Sequence, residues 1–433
     1  MPDGSQFHVL LPTDAFPPVA GGSGWSTHAL AKALQVRGHK VTAIVPRRAP
    51  PGIQRRDEQG VPVVEVGYYA PNLPIVQNYY RFELLWPLLR NVLVAESCRE
   101  YELPVIIHAQ HAQTAPAAVL AGRELEVPVI ATIRDAWPWH YFATGLLADR
   151  VPFKHHNWST DWLDLIGRLG PLRGVLAAPA LPYMGQHLQR RAALLAQADA
   201  VIACSQYIKR KLEGIVPPER LYAIPHLVDV EATCVIAAKK PTQLPEEPFI
   251  LFVGKLERNK GAQLLPTALE TARTYGIEPP LLLIAGNGSL TSELRRELDA
   301  RNLRYHLLDG WINHDAVLGL MQRAEVLLFP SAWGEPLSRV LLEGCAVGAC
   351  IATIATGGTA DAIVDGESGV LVQNEEALGQ ALAELLRDST RREQLRNGAQ
   401  RIARERFAAS VVVEQVEQLY QTVANVRGVP GKH

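Results

Sequence analysis

Pro330-Ser331-Ala332-Trp333-Gly334-Glu335-Pro336-Leu337-Ser338-Arg339-Val340-Leu341-Leu342-Glu343 holds two glutamates eight positions apart, with a proline directly after the first. The apolar run Val326-Leu327-Leu328-Phe329 leads into it and reads as a buried strand. Pro336 suits the first turn of a helix, where its missing N–H is not needed. The stretch is therefore expected to be strand, loop and helix, with Glu335 in the loop and Glu343 about two turns into the helix. Eight residues at about 100° each return the chain to within roughly 80° of its starting direction. Both carboxylates can then line one cleft at the carboxyl end of a strand, the ligand side of an open α/β sheet. For an arbitrary pair of glutamates, a solvated loop acid and a surface helix residue are the ordinary reading. Here Leu341, Leu342, Cys345 and Val347 make the helix apolar around Glu343, and a carboxylate buried there needs a partner.

Outward from this stretch the chain keeps the same rhythm. Strand-like runs at 7–11, 41–45, 63–66, 105–108, 129–132 and 200–203 alternate with helix-like segments, the first helix at 29–36. A polar stretch with Lys239-Lys240-Pro241 and Pro245-Glu246-Glu247-Pro248 follows and reads as a linker. A second series runs at 249–253, 281–285, 306–308, 326–329, 350–353 and 369–372, and a helix is expected over 411–426. Alternation of this kind means βαβ units and parallel sheets. The fold class is α/β, with two Rossmann-like doubly wound domains facing across a cleft. The expected boundaries are 1–229, a linker at 230–248, a second domain at 249–410, and 411–433 with its helix crossing back to the first domain.

Residues 143–190 interrupt the first series. They contain His155-His156, Trp158, Trp162 and the apolar segment 175–183. A surface insertion with a helical hairpin is one reading; an acceptor-side lid or membrane-surface patch is the other. Tryptophan with Arg168, Arg173, Arg190 and Arg191 nearby suits an interfacial role.

Composition bounds the rest. A chain of 433 residues, 48% hydrophobic and 20% charged, is long enough for two domains with sizeable cores. A net charge of −1 leaves no electrostatic footprint for nucleic acid. Five scattered cysteines without a CxxC pair point to neither a disulfide framework nor a zinc site, and fit a reduced cytoplasmic compartment. No basic segment followed by a long apolar run opens the chain, so no signal peptide is expected. No stretch reaches 18 apolar residues, so no spanning helix is expected either.

Several weak signals converge on ligand-side loops. Gly21-Gly22-Ser23-Gly24 follows the first strand and allows close backbone approach beside a helix N-terminus, which attracts anions. The second domain opens with Lys255, Arg258 and Lys260-Gly261 just past a strand, three cations placed as a diphosphate clamp. Gly286-Asn287-Gly288 and Thr356-Gly357-Gly358-Thr359 add close-approach loops with backbone donors. All lie at the carboxyl ends of second-domain strands and together describe one nucleotide–diphosphate pocket.

These residues resemble the family-four retaining glycosyltransferases (glycosyl transferases group 1) with the GT-B fold, over nearly the whole chain. The resemblance is carried by Gly21-Gly22, by His111 within His108-Ala109-Gln110-His111, and by Ala198-Asp199-Ala200-Val201-Ile202-Ala203-Cys204-Ser205. Pro225-His226-Leu227-Val228-Asp229, the loop from Lys255 to Lys260-Gly261, and Glu335 with Glu343 complete it. It implies that Lys260 holds the donor diphosphate with Lys255 or Arg258, and that Glu343 takes the ribose hydroxyls. Glu335 would contact the transferred sugar beside its anomeric carbon. Backbone amides of Leu337, Ser338 and Arg339, with Gly21, Gly22 and Gly286, would line the donor. His111 would meet the sugar from the first domain, with Arg134 and Asp135 on the acceptor side.

The chain departs from the family pattern at four places: Lys255 for an arginine, Leu337-Ser338 for Phe-Gly, His226 for an asparagine, and Arg134 for a histidine. Lys255 keeps the charge but loses the bidentate fork. Neither glutamate is lost. The implied activity is retaining transfer of a hexose from a nucleoside-diphosphate sugar of the GDP-mannose or UDP-glucose type. The acceptor is a hydroxyl of a glycan, a lipid-linked sugar or a small molecule. No essential cofactor or metal and no nucleic acid are expected, and peripheral association with the inner membrane face rests on the 143–190 insertion. A sugar-nucleotide epimerase and a non-catalytic sugar-nucleotide-binding protein are the alternatives. The absence of a dinucleotide fingerprint disfavours an oxidoreductase.

Overall fold

A computed structural model describes residues 6–18, 21–99, 103–111, 113–148, 150–152, 157–239, 245–308 and 312–428. Among the sequence expectations, His155-His156 and Lys240-Pro241 lie outside them. The chain divides into two compact units: Met1–Ala148, Phe153–Leu227 and Ala409–His433 form the first, and Asp149–Pro152 with Val228–Ala408 the second.

The first unit is built on eight strands: β1 His8–Pro12, β2 Lys40–Arg48, β3 Gly52–Glu58, β4 Val61–Tyr68, β5 Val105–Ala109, β6 Val129–Ile133, β7 Ala200–Ala203 and β8 Leu221–Ala223. Their order is β8-β7-β6-β5-β1-β2-β4-β3. Every neighbouring pair is parallel except β3 with β4. β1, β5, β6 and β7 are buried at every residue, as continuous apolar runs covered on both faces must be.

Two strands were not legible in advance. β3 is Gly-Ile-Gln-Arg-Arg-Asp-Glu, an exposed edge strand without apolar alternation. It joins β4 through Gln59 (φ 53°) and Gly60 (φ 85°), the paired left-handed residues that a two-residue hairpin turn requires. β8 is only three residues long.

The first helix is Gly22–Val36, longer than the expected 29–36. Its glycine- and serine-rich first turns carry little apolar periodicity. Ser26 Oγ and Thr27 Oγ1 donate back to the carbonyls of Gly22 and Ser23 (2.9 and 3.0 Å). The last helix, Ala409–Val426, also packs in the first unit. Tyr420 OH lies 2.7 Å from His108 Nδ1, and His108 Nε2 is 2.8 Å from Thr132 Oγ1. Burial keeps this histidine neutral, with its pKa pushed down to about 3.

The second unit has six strands: β9 Phe249–Val253, β10 Leu281–Ala285, β11 Tyr305–Leu307, β12 Val326–Phe329, β13 Ile351–Ile354 and β14 Val370–Val372. All pair in parallel, in the order β11-β10-β9-β12-β13-β14. The chain starts at β9 in the middle, winds out to β11, and returns to β12 on the other side of β9. The direction of winding therefore reverses between β9 and β12, the point at which an open α/β sheet takes its ligands.

Two local expectations are corrected. Residues 230–238 are not linker but the helix Val230–Ala238, capped by Asp229, whose carboxylate accepts from Ala232 N at 3.0 Å. The run has neither glycine nor proline to stop it. Pro336 is not in a first helical turn. The helix is Arg339–Val347, with Ser338 at its N-cap, so Glu343 is its fifth residue, one turn in rather than two. The chain from 330 to 337 is tied to neighbouring loops instead, which delays the helix.

Candidate active site

In the second unit three loops hold one another. Ala332 N donates to Asn259 O (3.1 Å), and Thr356 Oγ1 donates to Ser331 O (3.0 Å). Gly358 N donates to Glu335 O at 2.6 Å. The loop after β12 is thus clamped between those after β9 and β13. Gly261 sits at φ 74°, and a Cβ there would stand 1.7 Å from the Pro330 carbonyl oxygen. Gly357, at φ 56°, would bring a Cβ within 2.4 Å of the Glu335 carbonyl oxygen. Both positions demand glycine, for conformation and for space.

This clamp sets the two glutamates. Glu335 is buried, and its Oε2 accepts from Lys260 Nζ at 2.7 Å, Trp333 Nε1 at 2.5 Å and Ser331 Oγ at 3.3 Å. Lys260 Nζ also lies 5.3 Å from the centre of the Trp333 ring. Among the described residues no donor reaches Glu335 Oε1, and that oxygen is not occluded. Glu343 is buried as well. Its Oε1 takes Arg339 Nε at 2.6 Å, one turn back on the same helix, and His314 Nε2 at 3.0 Å. Burial pushes the Glu343 carboxyl up, but Arg339 and His314 outweigh it and hold it below the usual carboxylate range. The two carboxylates thus share the loop-and-helix segment but have separate partners.

The other expected donor residues are distributed around these two. Lys255 is exposed in the loop after β9. Arg258 is exposed and its NH2 bonds both carboxylate oxygens of Glu293 at 3.0 Å, so it is already engaged. Gly286 follows β10 and lies against Gly254, where a Cβ would meet the Gly254 carbonyl oxygen at 1.9 Å. Leu337 and Ser338 are buried just before the helix, and Arg339 is its first residue.

In the first unit, Gly21 caps the helix Gly22–Val36 with open space around its Cα. His111 follows β5, and Arg134-Asp135 follows β6. His111 Nε2 lies 3.0 Å from Asp135 Oδ2, and Nδ1 is 3.4 Å from Asp14 Oδ2. Burial disfavours the imidazolium, but Asp14 and Asp135 outweigh burial and raise the His111 pKa above its ordinary value. Burial likewise raises Asp135, and His111 more than reverses it. Arg134 donates to Ser23 O, Thr27 Oγ1 and Gln110 Oε1 at 2.9, 2.8 and 2.6 Å, tying the first turns of the helix Gly22–Val36 to the loops after β5 and β6.

The insertion folds as the helices Trp158–Leu169, Pro171–Leu176 and Leu181–Leu195. Trp158, Trp162, Leu163, Leu172, Val175 and Leu176 are exposed, Leu172 by 76%. Asp164 bonds Arg168 and Glu83 bonds Arg190, while Arg173 is exposed within the patch. No helix among the described residues is long and apolar enough to cross a membrane.

Sequence reasoning missed Asp14, Trp333, Ser331 and His314. Trp333 and Ser331 lay in the quoted stretch but carried no motif weight. Asp14 and His314 reach their partners only through tertiary structure.

Comparison with known proteins completes the identification. Residues 236–402 match the family described as glycosyl transferases group 1, and residues 20–232 match glycosyltransferase family 4. The chain belongs to this glycosyltransferase family. It is 26% identical over 395 residues to a glycogen synthase of Mycobacterium tuberculosis, covering 87% of this chain and 84% of that one. A D-inositol 3-phosphate glycosyltransferase of Xylanimonas cellulosilytica is 27% identical over 62% of this chain and 67% of that protein. Among solved structures, a sucrose-phosphate synthase of Thermosynechococcus elongatus superposes with TM-score 0.70 at 21% identity, over 97% of this chain and 100% of that one. The HepE protein of Anabaena in complex with UDP gives 0.67 at 18% identity, over 96% and 100%. The fold is GT-B, with two parallel-sheet Rossmann-like domains.

Proposed function

We propose that this glycosyltransferase moves a hexose from a nucleoside-diphosphate sugar to an acceptor hydroxyl with retention of anomeric configuration. The observation that carries the reading is the Lys260–Glu335 pair, 2.7 Å apart, which joins the loops after β9 and β12 where the winding of the sheet reverses. That reversal is the ligand position of a doubly wound sheet. The UDP in one structural neighbour supports a nucleotide at such a site.

Departure of the nucleoside diphosphate concentrates negative charge on the leaving phosphate. Lys260 is placed to meet that charge without reorganising, since its ammonium is already held by Glu335 and Trp333. Glu335 Oε1 is the oxygen available to a sugar hydroxyl or to the oxocarbenium-like carbon. Glu343 offers its unengaged oxygen to the ribose. In front-face transfer the C1–phosphate bond breaks, the acceptor oxygen bonds C1 on the same face, and a departing phosphate oxygen takes the acceptor proton. His111, whose imidazolium Asp14 and Asp135 favour, is assigned to the sugar hydroxyls, with Arg134 and Asp135 on the acceptor side. The exposed apolar helices of the insertion are assigned to a lipid surface or a lipid-linked acceptor.

The test is a donor panel of UDP-glucose, GDP-mannose and ADP-glucose, with binding measured by calorimetry and product configuration by NMR. An α-donor giving an α-product, with transfer abolished in Lys260→Ala, supports the assignment. An inverted product, or a rearranged sugar nucleotide without transfer, overturns it.

A further inference from the structure

His314 was in none of the motifs, yet it contacts the carboxylate that the proposed donor site assigns to ribose. It is the first residue of the helix His314–Arg323, capped by Asn313, and its side chain is about half exposed. Its Nε2 and Arg339 Nε converge on the same oxygen, Glu343 Oε1, at 3.0 and 2.6 Å. The other oxygen, Oε2, has no partner among the described residues and is not occluded. Two donors on one oxygen fix the carboxylate's rotation and present Oε2 outward.

Protonation of His314 adds one positive charge beside Glu343 and Arg339. Among the described residues, the charged groups that act on His314 are Glu343 and Arg339 from the helix Arg339–Val347, and Asp315 from its own. The helix Val230–Ala238 also packs on this one, but its acid, Glu231, bonds Arg404. β9, which packs beneath, carries no titratable side chain.

We propose that His314 is a positioning residue for the donor, holding Glu343 and adding a proton-dependent positive charge beside the nucleoside diphosphate. This rests on the donor-site reading of Glu343. The hydrogen bond to Glu343 raises the His314 pKa against partial burial and Arg339, so the charged form persists above the ordinary histidine range. A bound dianionic diphosphate raises it further. By linkage, binding takes up protons and weakens as pH climbs through the His314 pKa of the free protein. A rise of half a pKa unit on binding corresponds to about a threefold change in affinity.

The test is calorimetry of UDP-glucose, GDP-mannose and ADP-glucose between pH 5.5 and 9, with the full-length wild type, His314→Gln and His314→Ala. The doubly esterified diphosphate of these donors does not itself titrate in this range. Running each titration in buffers of different ionisation enthalpy counts the protons taken up. Wild type is expected to bind about threefold more weakly at the alkaline end and to take up a fraction of a proton near its pKa. His314→Gln keeps a hydrogen-bond donor and is expected to show a shallower pH dependence and less proton uptake. His314→Ala is expected to be weaker throughout. If a donor binds wild type and His314→Gln with the same affinity, pH profile and proton count, the inference is wrong although the donor site stands. If no donor binds wild type at any pH, the donor-site reading itself fails.

Discussion

Lys260 Nζ and Glu335 Oε2 are 2.7 Å apart, with the glutamate buried and the lysine about a quarter exposed. Among the described residues, the ammonium supplies the one full positive charge within bonding distance of that carboxylate; Trp333 and Ser331 contribute neutral donors. Lys260→Ala should therefore lower stability by about 1–3 kcal/mol, the scale for stranding a buried charged partner. Glu335→Gln in that background should recover part of it, because a neutral amide needs no counter-charge. Urea denaturation of the single and double mutants measures this. Transfer should fall at least about 10²-fold in kcat for Lys260→Ala, as when one preorganised donor is removed from a developing charge. It should not recover in the double mutant. Recovery of activity with stability would show the pair to be structural.

Gly261→Ala should unsettle the same site without removing a charge. Residue 261 is at φ 74°, and its added Cβ would stand 1.7 Å from the Pro330 carbonyl oxygen. The left-handed conformation disfavours alanine by roughly 1 kcal/mol. The collision is with backbone, so the β9 and β12 loops must also part. A lower melting temperature together with weaker sugar-nucleotide binding is expected. Gly21→Ala is the contrast: φ there is −80° and nothing stands within 4 Å of the new Cβ, so the melting temperature should hold.

These loops also mark how far the sequence could be read. Continuous apolar runs such as Leu281–Ala285 and Val326–Phe329 have one sensible fate, a strand covered on both faces, and they form where expected. The edge strand β3 escaped because Gln54, Arg55, Arg56 and Asp57 gain their place from pairing with β4 rather than from burial. The helix start at Arg339 was misplaced because proline's preference for a first turn is local, whereas Ala332 and Glu335 are held by loops more than twenty residues away in sequence. Glu335, Glu343 and Lys260 were visible as motif residues. Their partners Trp333 and His314 were not: a hydrogen bond between residues 314 and 343 leaves no spacing signal.

The His111–Asp135 contact predicts a pH window in the first unit. His111 has a raised pKa in the folded state, so its stabilisation is complete below the unfolded value, about 6.5, and is lost as pH rises through the folded value. Asp135 is depressed, so its share is present above about 3.9 and lost as pH falls through its folded value. Asp135→Asn should therefore destabilise most between these limits, and less at alkaline pH. NMR titration should find the wild-type His111 midpoint above about 6.5 and the Asp135→Asn midpoint lower. An unchanged midpoint would remove Asp135 as the source of the shift.

The insertion offers a test on its own surface. Leu172 and Leu176 are 76% and 72% exposed, so replacing both with glutamate removes little buried packing. Such surface changes usually alter stability by no more than about 0.5 kcal/mol. If this face meets a lipid surface, wild type should co-sediment with vesicles containing phosphatidylglycerol more than with neutral phosphatidylcholine vesicles. Exposed Arg173 supplies the attraction, and Trp158 and Trp162 supply interfacial anchors. Leu172→Glu/Leu176→Glu should lose most of that binding at unchanged melting temperature and unchanged sugar-nucleotide affinity. Raising the salt should weaken the wild-type interaction without abolishing it, since screening acts on the arginine and not on the buried apolar area. Equal sedimentation of wild type and double mutant would remove the lipid assignment. Loss of a concentration-dependent dimer in the double mutant would assign the face to a second copy of the chain instead.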